Sequence, residues 1–315
     1  MPHDLVATDR VFPDKLTSAT NGKVVLEPLK TAWVAMMILG GLVAIVWFAT
    51  WSGFFVFLGL SAVTLCAGHS VGMHRLLIHR SFKTPIWVEH ILVYLGVLVG
   101  MAGPFGMIRA HDMRDWHQRQ KICPPHPSHQ AGLLKDAFWQ LCCRFQLETP
   151  PEFRIEPATK NDRFYQFLEM TWMGQQLPLA IILFITGGWS WLLWGLFLRV
   201  SVSLVGHWAV GHFAHHGGHQ GWVVDGLPVQ GYNLPRLALV TFGESLHGNH
   251  HAFPHSAKLA VENGQSDLGF MLIGVLEKLG LAKDIQTPES LPAREGLARF
   301  DPFESVSLQS SDRRI

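Results

Sequence analysis

Charge is what this sequence has least of. Acidic and basic side chains make up 16% of its 315 residues, against about 25% in an ordinary soluble domain, and the deficit is concentrated. No Asp, Glu, Lys or Arg occurs between Lys30 and Arg75, none between Glu169 and Arg199, and none between Arg199 and Asp225. A helix needs roughly 20 apolar residues to cross a hydrocarbon layer about 30 Å thick. The gap before Arg75 therefore holds two crossings, and the stretch from Glu169 to Asp225 holds two more. A water-soluble globular protein is excluded. The net charge of +1 argues against nucleic acid or any other polyelectrolyte partner held by bulk attraction. The four cysteines, Cys66, Cys123, Cys142 and Cys143, show no C-x-x-C or cluster spacing, which argues against a disulfide framework and a built-in iron–sulfur centre. The first fifteen residues mix acids and bases around no apolar core, so they are not a secretory signal.

These gaps predict an all-α membrane protein with four transmembrane helices, at about 31–50, 53–73, 171–186 and 189–210. Residues 1–30 read as a polar cytoplasmic tail, 31–282 as the membrane domain and 283–315 as a loosely held C-terminal tail. The turns at Trp51-Ser52 and Gly187-Gly188 carry no charge, whereas the segment from Arg75 to Arg163 is rich in Arg and Lys. By the positive-inside rule that segment forms a cytoplasmic helical cap and the two turns face the other side. Residues 86–108 are apolar and long enough to span. Spanning would put the histidines before and after them on opposite faces, so the expectation is an interfacial or buried helix.

Histidine is what the sequence has in excess. Eighteen are present, most of them in four tight groups: His74 and His79 in HRLLIHRSF; His111 and His117 in RAHDMRDWHQRQ; His207, His212, His215, His216 and His219 in HWAVGHFAHHGGH; and His247, His250, His251 and His255 in SLHGNHHAFPH. The topology brings all four groups to one face. Neutral imidazole suits iron, zinc, copper and nickel. His247, His250 and His251, at i, i+3 and i+4, share a helix face, whereas His74 and His79, five apart, need a helix end or a slight unwinding. Outside the groups, His69 reads as a packed core residue and His3, His126 and His129 as solvated loop residues. His90 and His117 carry little metal signal. The absence of H-E-x-x-H disfavours a zinc protease, and haem uses only one or two axial histidines. Two irons and a route for dioxygen fit best.

HRLLIHRSF followed by Lys83, then a second box, then GESLHGNHHAFPH resembles the membrane fatty-acid desaturase family, particularly its acyl-CoA type and bacterial branch. The likeness runs from about Leu58 to Leu259, and the last box is its most specific part. Arg199, Trp208 and His215 also fall in register. The resemblance implies metal ligands His74, His79, His111, His215, His247, His250 and His251, and a mushroom of four spans under the cap. It also implies a narrow acyl tunnel to which Arg199, Trp208, Ala62 and Leu58 contribute. Two features depart from the family. After His111 the second box carries Arg114 and Asp115 in place of two histidines, and Gly211 stands where the family often has an asparagine holding a metal-bound water. Arg114 cannot bind a cation. Asp115, one helical turn beyond His111, is a competent iron ligand.

The expected activity is an oxygen-dependent di-iron desaturase that introduces a double bond into a fatty acyl chain, carried as an acyl-CoA thioester. Two Fe2+ ions are the expected cofactors and O2 the co-substrate. Electrons come from a separate ferredoxin, rubredoxin or small haem cytochrome, and the expected site is a multi-pass position in the bacterial inner membrane, among membrane lipid. Glu244, Asp112 and Asp225 are candidates to hold the far nitrogens of the ligating histidines. The alternatives are a hydroxylase or oxidative decarboxylase on the same scaffold, and a non-catalytic lipid-binding relative.

Overall fold

Pro28 opens the first long helix, α1 (Pro28–Trp47), at a position where no backbone N–H is needed. Its 20 residues rise about 30 Å. Trp33, Val34, Met37, Gly41 and Ala44 are its buried residues, whereas Leu39, Leu42, Val46 and Trp47 are exposed. Large apolar side chains turned outward along a whole helix suit lipid rather than water. The structure, a computed structural model, describes residues 5–300; His3 and positions 301–315 of the expected C-terminal tail lie outside the described residues.

A short turn leads to α2 (Trp51–Ile78), whose start is capped by Thr50: its hydroxyl accepts the Gly53 N–H at 3.0 Å. From Val63 to Ile78 the backbone is π-helical, each turn one residue wider than in an α-helix. This resolves the awkward spacing of the first histidine pair. The His79 N–H reaches back five residues to the His74 carbonyl at 3.0 Å, and the two rings meet with centroids 4.8 Å apart.

The third long apolar stretch, α7 (Gln176–His216), begins five residues into the predicted span 171–186 and takes in the whole of 189–210. It breaks at Gly188, where φ is 61° and ψ is −155°, a conformation open to glycine and costly for any other residue. The break falls at the expected turn. Its second arm packs on α1: Trp33, Val34 and Met37 meet Leu196, Val200 and Leu204, and a Cβ at Gly40 would lie 2.3 Å from the Phe197 ring. Among the described residues, three helices are thus long and apolar enough to cross a membrane, the third in two arms.

Between these lie α3 (Ile86–Val97), α4 (Pro104–Gln118), α5 (Leu133–Cys142) and α6 (Arg163–Thr171). At 12 residues, α3 rises about 18 Å, too little to span. It presses instead on the π-helical half of α2, where a Cβ at Gly72 would sit 2.5 Å from the Leu92 carbonyl oxygen. The free N–H groups at the start of α4 are held by a side chain from another helix: Glu169 of α6 accepts from Phe105 at 2.9 Å and Gly106 at 3.2 Å. Two short helices follow the long bundle, α8 (His247–Ala252) and α9 (Leu268–Lys278).

The described residues of both terminal segments make specific pairings. Val11–Phe12 pairs with Glu152–Phe153, and Gly22–Leu26 with Cys143–Leu147. Arg10 is buried and pairs with Asp112 and Glu156 at 2.8 Å each. At the other end, Lys83 and Lys283 exchange backbone hydrogen bonds of 2.8 and 2.9 Å, and Leu297–Arg299 pairs with Trp222–Val224. Polar composition hides this order, because strand pairing draws on backbone groups that every residue carries.

Candidate metal centre

Four helices deliver seven imidazoles to two adjoining groups. His74 and His79 come from the π-helical end of α2, His111 from α4 and His250 from α8; their ligand nitrogens all lie within 4.8 Å of one another. His215 at the end of α7 joins His247 and His251, one turn apart on α8, in a second set of the same closeness. The two sets share α8, whose His247 and His250 rings are 5.5 Å apart. All seven predicted histidines fall in these groups.

Three of the far nitrogens face a polar partner. His74 Nδ1 lies 2.6 Å from Glu244 Oε2, His111 Nδ1 faces Asp112 Oδ1 at 3.1 Å, and His215 Nδ1 meets the Gln230 carbonyl at 2.9 Å. Glu244 in turn accepts from the Ser70 hydroxyl at 2.6 Å and lies 3.5 Å from Arg75. A metal-binding imidazole with its other nitrogen on a carboxylate or carbonyl is fixed in tautomer and orientation. Asp225, expected in this role, instead accepts the Gly226 N–H at 2.9 Å inside its own turn. Its place is taken by the Gln230 carbonyl, which sequence spacing could not show.

Inward nitrogens converge without partners that would explain the convergence. His79 Nε2 and His111 Nε2 are 3.3 Å apart, His215 Nε2 and His247 Nε2 3.1 Å, His247 Nε2 and His251 Nε2 3.0 Å. His250 Nε2 is buried with no hydrogen-bond partner. Burial, reinforced by the neighbouring imidazoles, pushes His79, His247 and His250 well below the ordinary histidine range. Burial likewise takes His251 down to about 3, with Arg119, Arg114 and Arg294 adding to it against Asp115. Neutral imidazoles with converging lone pairs fit first-row metal cations.

Asp115 belongs to neither set, but it is no surface residue. It is buried, its Oδ1 has no hydrogen-bond partner, and Arg114 and Arg119 each approach to 3.7 Å. Burial alone would raise its carboxyl; His111, Arg114, Arg119 and His251 outweigh burial and hold it well below the usual carboxylate range. Since His111 belongs to one set and His251 to the other, its charge acts on both.

The predicted substrate residues are scattered. Trp208 donates its indole N–H to Asp136 at 2.9 Å. Arg199 is fully buried and spends its nitrogens on the Gly195 and Leu98 carbonyls and the Gln176 amide oxygen, at 2.7, 2.6 and 2.8 Å; this bonding ties α7 to α3. Leu58 and Ala62 are exposed. His90 pairs with Asp162 at 2.8 Å, His117 and His69 are buried outside both sets, and His255 is exposed. His126 and His129, expected in solvent, are buried. Asp136, which accepts from Trp208, from His212 at 2.8 Å and from His129 at 3.4 Å, carried no sequence signal. Neither did Gln118, whose amide nitrogen is 3.1 Å from His215 Nε2.

No family model matches the chain, but curated relatives do. It is 34% identical over 245 residues to an sn-1 stearoyl-lipid 9-desaturase of Synechocystis sp., covering 76% of this chain and 74% of that one. An sn-1 stearoyl-lipid 9-desaturase of Anabaena variabilis is 30% identical over 272 residues, 86% of this chain and 98% of the relative. An acyl-CoA 5-desaturase of Anemone leveillei is 30% identical over 248 residues, 78% and 75% respectively. With that extent of identity, and with the paired histidine groups at the ends of long apolar helices, the chain belongs to the fatty acyl desaturase family of membrane oxidoreductases.

Proposed function

We propose that this protein is an oxygen-dependent di-iron enzyme that introduces a double bond into a fatty acyl chain. The observation that carries the reading is the pair of adjoining histidine sets, one of four and one of three. His74, His79, His111 and His250 would hold one iron; His215, His247 and His251 would hold the other. Bound iron would supply the dioxygen chemistry that takes two hydrogens from neighbouring methylenes, with two electrons from an external donor, two protons from water and both oxygen atoms leaving as two waters. A ferredoxin, rubredoxin or small haem cytochrome is the kind of donor required, since the sequence has no iron–sulfur or haem motif of its own.

The chain's own residues prepare the site. Burial keeps His79, His247, His250 and His251 neutral and ready to bind a cation. Glu244, Asp112 and the Gln230 carbonyl hold three rings in place. Asp115 offsets the charge of Arg114 and Arg119 beside both sets. In this reading α1, α2 and the two arms of α7 make four spans, with the histidines on the cytoplasmic side. Leu58 and Ala62, on α2, stay as proposals for the membrane-side end of an acyl tunnel.

The carrier of the acyl chain follows from experiment: the named relatives act on lipid-linked and on CoA-linked chains. Expression in a host lacking the enzyme, with mass spectrometry of its lipids and CoA esters, should show new double bonds at one position. Product confined to the CoA pool identifies a thioester substrate, and product confined to intact lipids a lipid-linked one. Unchanged lipids in the presence of a working electron donor would refute desaturation. Arg114, in place of a family histidine, is the observation behind a second reading, hydroxylation or oxidative decarboxylation; hydroxylated or shortened products would support that outcome.

A further inference from the structure

The two histidine sets are unequal, and the structure places an unused imidazole beside the smaller one. His129 sits in the loop between α4 and α5 and is 3% exposed. Its Nε2 is buried with no hydrogen-bond partner. Its ring lies nearly parallel to that of His215, 13° between planes and 5.5 Å between centroids. The place it occupies exists because residue 211 is glycine: a Cβ there would come within 3.0 Å of both Cε1 and Nε2 of His129. Gly211 is one helical turn before His215 and on the same face, so the tip of His129 is lodged against α7 just below a member of the three-histidine set.

We propose that a coordinated water completes the three-histidine site and that His129 holds it, accepting its hydrogen bond at Nε2. The inference rests on the two-iron reading above. Three observations favour it. First, His129 Nδ1 faces the buried carboxylate of Asp136 at 3.4 Å. That repeats the arrangement at His74 with Glu244 and at His111 with Asp112, and turns the Nε2 lone pair outward as an acceptor. Second, Gln118 Oε1 is also buried and unpartnered, while its amide nitrogen lies 3.1 Å from His215 Nε2. A metal-bound water has two protons to donate, and His129 Nε2 and Gln118 Oε1 are two orphaned acceptors beside His215. Buried polar atoms of this kind are costly unless matched, and a water matches them when it finds two to four polar partners. Third, His129 falls outside the set of nitrogens within 4.8 Å of one another, so a water rather than its own nitrogen is the ligand assigned here. The second box has Arg114 where a donor is missing, and the water held by His129, from a different element, supplies a replacement.

The test counts metal, independently of turnover. Full-length protein in detergent is titrated anaerobically with Fe2+, and bound iron is measured per chain for wild type, His129→Ala, Gly211→Ala and His126→Ala. Wild type should hold two irons. His129→Ala should weaken the second iron about 10–100-fold, the range expected when an outer partner of a metal site is lost, and so hold one iron where wild type holds two. Gly211→Ala keeps the helix but crowds the His129 ring, and should weaken the same iron. His126→Ala, in the same loop but away from His215, should keep two, which separates ligand loss from loop damage. Two irons at wild-type affinity in either His129→Ala or Gly211→Ala would overturn the assignment while leaving the di-iron reading intact. A single iron in wild type would overturn both. If His129→Ala does not fold, Gly211→Ala decides.

Discussion

Replacing Glu244 with Gln isolates what a buried carboxylate does for a histidine that binds metal. The substitution keeps the shape and an oxygen able to accept from the Ser70 hydroxyl. Arg75 keeps its pairing with Asp267 at 2.9 Å, so no buried cation is stranded. What disappears is a full negative charge 2.6 Å from His74 Nδ1. Losing such a partner weakens a metal site about 10–100-fold, which at about 1.4 kcal/mol per decade is about 1.4–2.8 kcal/mol. A metal that binds only the folded state stabilises it by RT ln(1 + [L]/Kd). At saturating iron the variant should therefore lose about that much iron-dependent stability, with the metal-free protein unchanged. Anaerobic Fe2+ titration gives the affinity, and detergent-phase thermal unfolding with and without iron gives the linked stability. Only the four-histidine site should be affected. An affinity within about threefold of wild type would mean that Glu244 merely packs against His74 and that carboxylate support of the site is wrong.

Three further expectations follow from particular contacts. Asp115→Asn leaves Arg114 and Arg119 without a counter-charge beside both sets, so both irons should bind more weakly, by about tenfold or more; two irons at wild-type affinity would show that its charge is irrelevant. Gly72→Ala forces a Cβ to within 2.5 Å of the Leu92 carbonyl oxygen and should cost about 1–3 kcal/mol as α3 is pushed from α2, read by thermal unfolding; wild-type stability would contradict the close approach. Ala62 is proposed at the membrane-side end of the acyl tunnel, so Ala62→Trp should shift the product profile to shorter chains, and an unchanged profile with normal activity would remove Ala62 from the tunnel.

A cysteine-labelling experiment tests the proposed topology. Single cysteines near Ser52 and Gly188 should react with an impermeant reagent from outside, and none introduced between 80 and 163 should. Labelling near Gln118 from outside would separate His74 from His111 across the membrane and dissolve the shared site.

Much of this protein is determined locally and was legible residue by residue. Absence of charge over tens of residues dictates membrane-length helices, because an unneutralised charge in hydrocarbon costs far more than helix propensity can offset. The grouping of the histidines pointed to a metal site, since a set of imidazoles on one face of a membrane has few uses besides metal; which seven of them come together was implied by the family resemblance, and those seven form the two sets. Tertiary structure alone decided the rest. The π-helical turn that brings His79 beside His74 arises from the packing of α2 on α3, where glycines permit close approach. Arg199, read as a substrate residue from its register, is committed to carbonyls on α3 and α7, a choice set by which backbone groups the bundle leaves unpaired. Asp115, expected as a ligand from its place one turn after His111, lies outside both sets and is buried beside Arg114 and Arg119, a placement that spacing along one helix does not show. His129 carried no pattern at all. Its role depends on a glycine 82 residues later in the chain and a carboxylate on another helix, and such coincidences of space leave no trace in spacing, because periodicity records only what one element does with its own faces.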